Sequence, residues 1–213
     1  MLKDQIAVES NVRLRAYENG VMVDERESHN VLTNIGRNWL RDLVGFVDFA
    51  GLALGGFASP ASRTDARATY IAFGVGGVLS SDPTIYNATQ EELVTVTALE
   101  DYVKISDAPN VYMKAVENQT TGSDSIVGSY AIRFITTILE SEISFATNVS
   151  KSGGLAVGTN VPVSEAGLYL SGADPSIDLD TAPNTTRCVA YNQFDPIAVT
   201  PNIVLRTEWE LRF

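Results

Sequence analysis

The last eleven residues constrain the fold most strongly, because apolar and polar side chains alternate there. Every second position carries a side chain suited to a buried face, and these are Ile203, Leu205, Thr207, Trp209, Leu211 and Phe213. The positions between them are Val204, Arg206, Glu208, Glu210 and Arg212. A period of two places the two sets on opposite faces of a β-strand. We therefore expect residues 203–213 to form a strand with one face in a hydrophobic core.

The same alternation near the start of the chain predicts a β-hairpin. Val12, Leu14 and Ala16 alternate with polar residues, and the pattern resumes at residues 21–24 after Asn19-Gly20. Both residues of an Asn-Gly pair tolerate the positive φ that a two-residue hairpin turn requires.

One strong helix follows this hairpin. Thr33 or Asn34 is placed to cap it. Its apolar stripe consists of Ile35, Trp39, Leu40, Leu43, Val44 and Val47. This helical spacing places the six side chains on one face. The rest of the pattern indicates strands at 70–74, 111–117, 130–139, 142–147, 165–170 and 187–194, and the window 90–99 fits a helix or a strand.

These elements predict a mainly β fold, namely an antiparallel β-sandwich with one α-helix packed near the N-terminus. We expect residues 1–213 to form a single β-rich domain. Loop insertions are expected around 49–68, 79–90 and 171–186, where glycine, proline and small polar residues accumulate.

Composition narrows the classes of function. The chain carries 26 acidic and 15 basic residues, for a formal net charge of −11, so it lacks the basic excess that phosphate binding requires and we expect no nucleic-acid partner. The first ten residues contain no apolar signal segment, and the charge-free stretch after Asp48 is too short to cross a bilayer. We therefore expect neither secretion by a leader nor membrane insertion.

Residues typical of catalysis are scarce. His29 is the single histidine and Cys188 the single cysteine. We interpret His29 as a hairpin residue and Cys188 as a buried apolar residue. The run Gly74-Val75-Gly76-Gly77 lacks the Lys and the third glycine of nucleotide-binding loops, so it is interpreted as a sharp turn. We expect no catalytic residues, no cofactor and no enzymatic activity.

Two kinds of ligand site stay as alternatives. Asp174, Asp178 and Asp180 lie in a Gly/Pro loop and supply oxygen ligands for calcium, although a solvated acidic loop is the preferred interpretation and no metal site is expected. Sugar binding usually needs an exposed aromatic ring. The tyrosines considered for this role are Tyr86, Tyr102, Tyr112 and Tyr191, and ordinary packing is the preferred interpretation for them.

Four segments, in this order, resemble a group of tailed-bacteriophage virion proteins found among tail, baseplate and particle-surface components. They are His29–Arg37, Tyr70–Gly76, Ser164–Leu170 and Phe194–Ile197, the last followed by the terminal strand. The region 75–100 is longer here than in that group. Glu165 is expected to pair with Arg133 or Arg206 across a sheet.

The resemblance implies a non-enzymatic structural subunit located in the virion. Such a subunit assembles by lateral contacts, as a tail, baseplate, collar or capsid-surface component, with copies of itself and other virion proteins as partners. The alternative is a carbohydrate- or receptor-binding module at a fibre tip, with a host-surface glycan as partner. A third interpretation, a glycan-cleaving enzyme, has no nominated pair of carboxylates.

Overall fold

A computed structural model describes residues 8–45, 68–79, 81–96, 98–107, 110–123, 130–143, 160–170 and 188–212. In chain order the strands and helices are β1 (Glu9–Glu18), β2 (Val21–His29), β3 (Val31–Leu32), α1 (Asn34–Gly45), β4 (Ala68–Gly74), β5 (Val78–Leu79), β6 (Asp82–Tyr86), α2 (Gln90–Leu93), β7 (Ser106–Asp107), β8 (Asn110–Val111), β9 (Met113–Ala115), β10 (Asn118–Ser123), β11 (Tyr130–Ile138), β12 (Val161–Leu170), β13 (Cys188–Val199) and β14 (Ile203–Arg212).

Sheet A is an antiparallel sheet with the strand order β10-β11-β14-β1-β2. The terminal strand β14 lies at its centre, where Trp209 is aligned with Val12 on one side and Phe134 on the other. The predicted alternation is confirmed, since the apolar set of β14 is buried from Ile203 to Leu211. The predicted hairpin is confirmed as well, because Asn19 and Gly20 both have positive φ, at 51° and 79°.

Sheet B is a second antiparallel sheet with the strand order β3-β13-β12-β4-β9. Its central strands β12 and β13 are buried on both faces over long stretches. One hydrophobic core joins the two sheets, with Val12, Leu205 and Trp209 contributed by sheet A and Val163 and Leu168 by sheet B. The fold is therefore mainly β with sandwich-like packing of two antiparallel sheets, as predicted.

A second apolar cluster covers the opposite face of sheet B. It joins Tyr169 and Cys188 of the sheet to Leu93, Leu99 and Tyr102 from the segment that follows β6. This covering segment explains why β12 and β13 lack a clear period of two, since both of their faces are inside the protein.

Helix α1 packs on β13 as the predicted single N-terminal helix. Thr33 caps it, because its Oγ1 accepts a hydrogen bond from the Gly36 amide at 3.0 Å. The Thr33 hydroxyl also donates to the Cys188 carbonyl oxygen at 2.7 Å, which fixes the start of the helix on sheet B. Ile35 and Trp39 are buried as the stripe predicts.

Some predicted boundaries are wrong. Residues 79–90 are not a plain loop, because β5 and β6 pair there as a short hairpin. The window 90–99 contains one helical turn, α2, which begins at a capping box formed by Thr89 and Glu92. The predicted strand 111–117 is divided among β8, β9 and the approach to β10. Glu142 and Ile143 lie outside any strand, although 142–147 was predicted to be one.

Other predictions lie outside the described residues. These are the loop 49–67, the acidic loop 171–186, the helix stripe beyond Gly45, and residues 144–147 and 213. The prediction of a single domain stays a prediction.

Candidate functional site

The outward face of sheet A carries arginine and glutamate side chains that form ion pairs with one another, and we call it the charged face. Its members are Arg13, Arg15, Glu25, Glu27, Arg133, Arg206, Glu208, Glu210 and Arg212. Cross-strand register creates the pairs, since Arg13 lies opposite Glu27 on β2 and Glu208 on β14. Arg13 Nη2 approaches Glu27 Oε1 at 2.8 Å, and Arg15 Nε approaches Glu25 Oε1 at 2.8 Å.

The pairing shifts the titration of individual groups on this face. Burial opposes ionisation of Glu210, yet hydrogen bonds from Arg133 and Arg212 leave its pKa below the usual range. The hydrogen bond to Glu25 raises the pKa of Arg15 above its usual value. Neighbours of opposite sign thus favour the ionised forms of Arg15 and Glu210.

A depression of about 170 Å³ lies on the charged face. Its charged lining consists of Arg13, Glu27, Arg133, Glu208, Glu210 and Arg212. Because these arginines and glutamates already pair with one another, a small ligand entering here would compete with existing ion pairs. The arrangement suits a solvated surface or a protein contact of matched charge better than an acid–base site.

A second polar group, the Glu165 network, lies inside the protein. The carboxylate of Glu165 on β12 is buried and receives four hydrogen bonds. Its Oε1 accepts from the amides of Gly76 at 3.1 Å and Asp101 at 2.9 Å. Its Oε2 accepts from the Glu100 amide at 3.1 Å and from the Tyr191 hydroxyl at 2.7 Å. The expected ion pair of Glu165 with Arg133 or Arg206 is therefore wrong.

The glycine run at 74–77 gives the backbone room to approach this carboxylate. A Cβ atom on Gly74 would lie 2.2 Å from Glu165 Oε1, and one on Gly77 would lie 2.4 Å from the Ser164 carbonyl oxygen. Side chains at these positions would displace the amides that hold Glu165. The glycine run, which the sequence predicted to be a sharp turn, thus lies against the buried carboxylate of Glu165.

Two tyrosines and Cys188 lie beside the Glu165 network. The hydroxyls of Tyr102 and Tyr169 are 2.6 Å apart, and the Tyr169 hydroxyl accepts from the Leu99 amide at 3.1 Å. Burial raises the pKa values of both tyrosines, and it raises the pKa of the Cys188 thiol to about 12. The prediction that Cys188 is a buried apolar residue is confirmed.

This network holds the polypeptide together and has no spare capacity for chemistry. Burial raises the pKa of Glu165, and the four donors oppose that rise. An ionised carboxylate offers about four lone-pair positions, and four donors fill them. Glu165 therefore attaches the 74–77 turn and the 99–101 segment to sheet B. The sequence signal for this role was the single charged residue in an otherwise uncharged strand.

The four tyrosines considered for sugar binding are not equivalent. Tyr102 and Tyr191 are buried, at 1% and 4% exposure, so a role as exposed sugar platforms is wrong for both. Tyr112 is partly buried and packs edge-on against the Tyr102 ring, with centroids 6.4 Å apart. Tyr86 on β6 is 47% exposed, and its sugar-binding role stays a prediction.

The remaining candidate residues are dispersed. His29 is exposed at the end of β2, opposite Asn11. Asp174, Asp178 and Asp180 lie outside the described residues. Within the described part of the chain, no three His, Cys, Asp or Glu side chains are grouped so that they could hold a metal ion.

No family model, curated protein or solved structure matches this chain. Among the described helices, none has the length and apolar character needed to span a membrane.

Proposed function

We propose that this chain is a non-enzymatic structural subunit of a tailed-phage virion, assembled with copies of itself and with other virion proteins. One observation carries the proposal. The four segments that resemble virion proteins are far apart in the sequence, yet they supply β3, part of β13, β12 and β4, which are consecutive neighbours in sheet B, while the terminal strand β14 after the last segment lies in sheet A. Because the four segments lie in neighbouring strands of one sheet, the resemblance supports a sheet that this chain has in common with those virion proteins.

The residues within these segments have structural roles. Gly36 allows α1 to approach β13, since a Cβ atom there would lie 1.9 Å from the Val189 carbonyl oxygen. Gly74, Gly76 and Glu165 join β4 to β12 through the buried carboxylate. The segments thus carry the close contacts of the sheet, which is what a rigid building block requires.

The surface offers a place for lateral contacts. Val21, Met22 and Val23 at the tip of the first hairpin are 65%, 49% and 52% exposed. Three consecutive apolar residues at a hairpin tip are unfavourable in water and favourable when a neighbouring subunit covers them. The edge strand β2 continues from this tip with Glu25 and Glu27, which pair with Arg15 and Arg13 on the charged face.

Mass spectrometry of particles made by a phage genome that encodes this chain tests the proposal. We expect the chain in purified particles in a fixed ratio to the other structural proteins. Mass photometry of the purified chain is expected to show oligomers. A strict monomer that is absent from every particle would overturn the proposal.

Paired variants locate the contact. Val21→Asp with Val23→Asp is expected to reduce the oligomeric fraction and incorporation into particles. Leu139→Asp is the matched control, since Leu139 is also exposed, at 58%, and follows β11, which β14 and β1 separate from β2 in sheet A. Equal loss in both variants would argue against the hairpin tip as the contact.

A carbohydrate-binding role is the second candidate function. The observation that favours it is the exposed side chain of Tyr86, whose hydroxyl lies near the Asp195 carboxylate.

A further inference from the structure

Three elements meet on the surface around Tyr86, and each contributes a polar side chain. The Tyr86 hydroxyl on β6 lies 3.5 Å from Asp195 Oδ1 on β13. Arg26 on β2 donates to the backbone carbonyl oxygens of Asp195 at 3.3 Å and Pro196 at 3.5 Å. An aromatic ring, a carboxylate and a guanidinium group therefore share one patch, which we call the Tyr86 patch.

A bulge in β13 turns Asp195 toward this patch. Val163 pairs with Ile197 and Glu165 pairs with Gln193, so Phe194, Asp195 and Pro196 lie opposite the single residue Ser164. Extra residues in one strand bend it and redirect a side chain away from the regular ladder. Asp195 is exposed within a strand whose preceding residues are all buried.

The patch contributes little to the stability of the fold. Residues 83–86 of β6 are all exposed, and Tyr86 keeps nearly half of its surface in water. The contact between Tyr86 and Asp195 is long for an O–H···O hydrogen bond, so a ligand hydroxyl would replace it at small cost. Burial, followed by the nearby carboxylate, raises the pKa of Tyr86, so the hydroxyl keeps its proton at neutral pH.

These groups match the chemistry of a neutral sugar. The apolar face of a pyranose ring packs on an aromatic ring, and its hydroxyls both donate and accept hydrogen bonds. Asp195 supplies an acceptor, and the Tyr86 hydroxyl supplies a donor and an acceptor. Arg26 supplies the remaining N–H of Nη2, because its other N–H groups donate to oxygens of Asp24, Glu25, Asp195 and Pro196. Asp24, which is ion-paired with Arg26, leaves the patch with more negative than positive charge, and the whole chain carries −11. Anionic sugars are therefore disfavoured.

We propose that Tyr86, Asp195 and Arg26 form a binding site for one residue of a neutral hexopyranose chain. Tyr86 provides the stacking surface, and Asp195 and Arg26 hold ring hydroxyls. The site rests on the second candidate function, carbohydrate binding, and not on the virion role. A sugar can bind a free chain as well as an assembled one, so the two experiments fail separately.

Saturation-transfer difference NMR on the full chain tests this site. The probes are cellotriose, maltotriose, mannotriose, galactotriose and triacetylchitotriose, with sialyllactose as the anionic comparison. We expect at least one neutral trisaccharide to bind with a Kd of about 1 mM or tighter, typical of a single shallow contact of about 4 kcal/mol. Sialyllactose is expected to bind more weakly than that trisaccharide.

Three variants assign the binding to the patch. Tyr86→Ala is expected to weaken the best trisaccharide by about 10-fold, because the stacking surface is lost. Asp195→Asn is expected to weaken it by about 5-fold, since the amide replaces one acceptor oxygen by a donor. Ile85→Ala is the control from the same strand, with 48% exposure, and should change the Kd by less than about 2-fold.

Thermal unfolding of each variant separates binding from folding, and all three substitutions are at exposed positions. Absence of binding by every neutral trisaccharide would overturn the proposal. Binding that is unchanged in both Tyr86→Ala and Asp195→Asn would overturn it as well, as would stronger binding of sialyllactose.

Discussion

The two sheets place their charged groups in opposite environments. In sheet A the charges lie on an outward face and neutralise one another across strands, as Arg13 does with Glu27. In sheet B the carboxylate of Glu165 lies in the interior and is held by backbone amides and a tyrosine. Substitution of one residue in a surface ion pair costs little stability, because water replaces the lost partner. Substitution of a buried carboxylate costs more, because its donors are left without a hydrogen-bond acceptor.

Glycine residues are also required for different reasons in the two sheets. Gly20 in the hairpin of sheet A is needed for its positive φ, and a Cβ atom there would meet nothing within 4 Å. Gly36 in α1 is needed for space, because a Cβ atom would lie 1.9 Å from the Val189 carbonyl oxygen of sheet B. Conformation limits the first position and packing limits the second.

The largest effect is expected from Gly36→Ala. The added methyl group would push α1 away from β13, and we expect a loss of about 3 kcal/mol in the free energy of unfolding. Gly20→Ala is the matched control, with an expected loss of about 1 kcal/mol from the left-handed backbone alone. Urea unfolding measures both, and equal losses would contradict the packing argument.

A smaller effect is expected from replacing glutamate by glutamine in the two sheets. Glu165→Gln turns an acceptor oxygen into a donor beside the Glu100 amide, so a buried N–H loses its partner and the free energy of unfolding falls by about 2 kcal/mol. Glu27→Gln removes an exposed ion pair and should cost about 0.5 kcal/mol or less. Urea unfolding at neutral pH compares the two variants. A larger fall in the free energy of unfolding for Glu27→Gln than for Glu165→Gln would contradict this comparison of buried and surface carboxylates.

The smallest effects are expected in the pH dependence of the free energy of unfolding. The contributions of Glu165 in sheet B and Glu210 in sheet A should change with pH in opposite directions. Burial raises the pKa of Glu165, so the native state holds this proton more tightly than the unfolded chain does. Its stabilising contribution is complete below the unfolded pKa of 4.5 and is lost as the pH rises through the raised value. The Glu210 pKa is lowered despite burial, by Arg133 and Arg212, so its contribution is present above 4.5 and is lost as the pH falls through the lowered value.

Urea unfolding from pH 3 to pH 7 separates these contributions. The advantage of the native chain over Glu165→Gln should shrink as the pH rises above 4.5, and its advantage over Glu210→Gln should shrink as the pH falls below 4.5. Parallel curves for the two variants would show that the two carboxylates do not titrate in opposite directions.

The sequence alone determined the strands and the helix that have one face exposed to solvent. Strand β14, the β1–β2 hairpin and the start of α1 were predictable because water on one side imposes a period of two or of 3.6. The mainly β class, the burial of Cys188 and the turn at Asn19-Gly20 follow from the same local rules.

Only the tertiary structure decided the rest. Strands at 165–170 and 187–194 were predicted, but both faces of β12 and β13 are covered, so no period of two shows which neighbours each face meets. The donors to Glu165 come from two separate segments of the chain. The Tyr86 patch likewise joins β2, β6 and β13. Period and turn rules act between neighbours in the sequence, whereas hydrogen bonds between distant segments exist only after the sheets have packed.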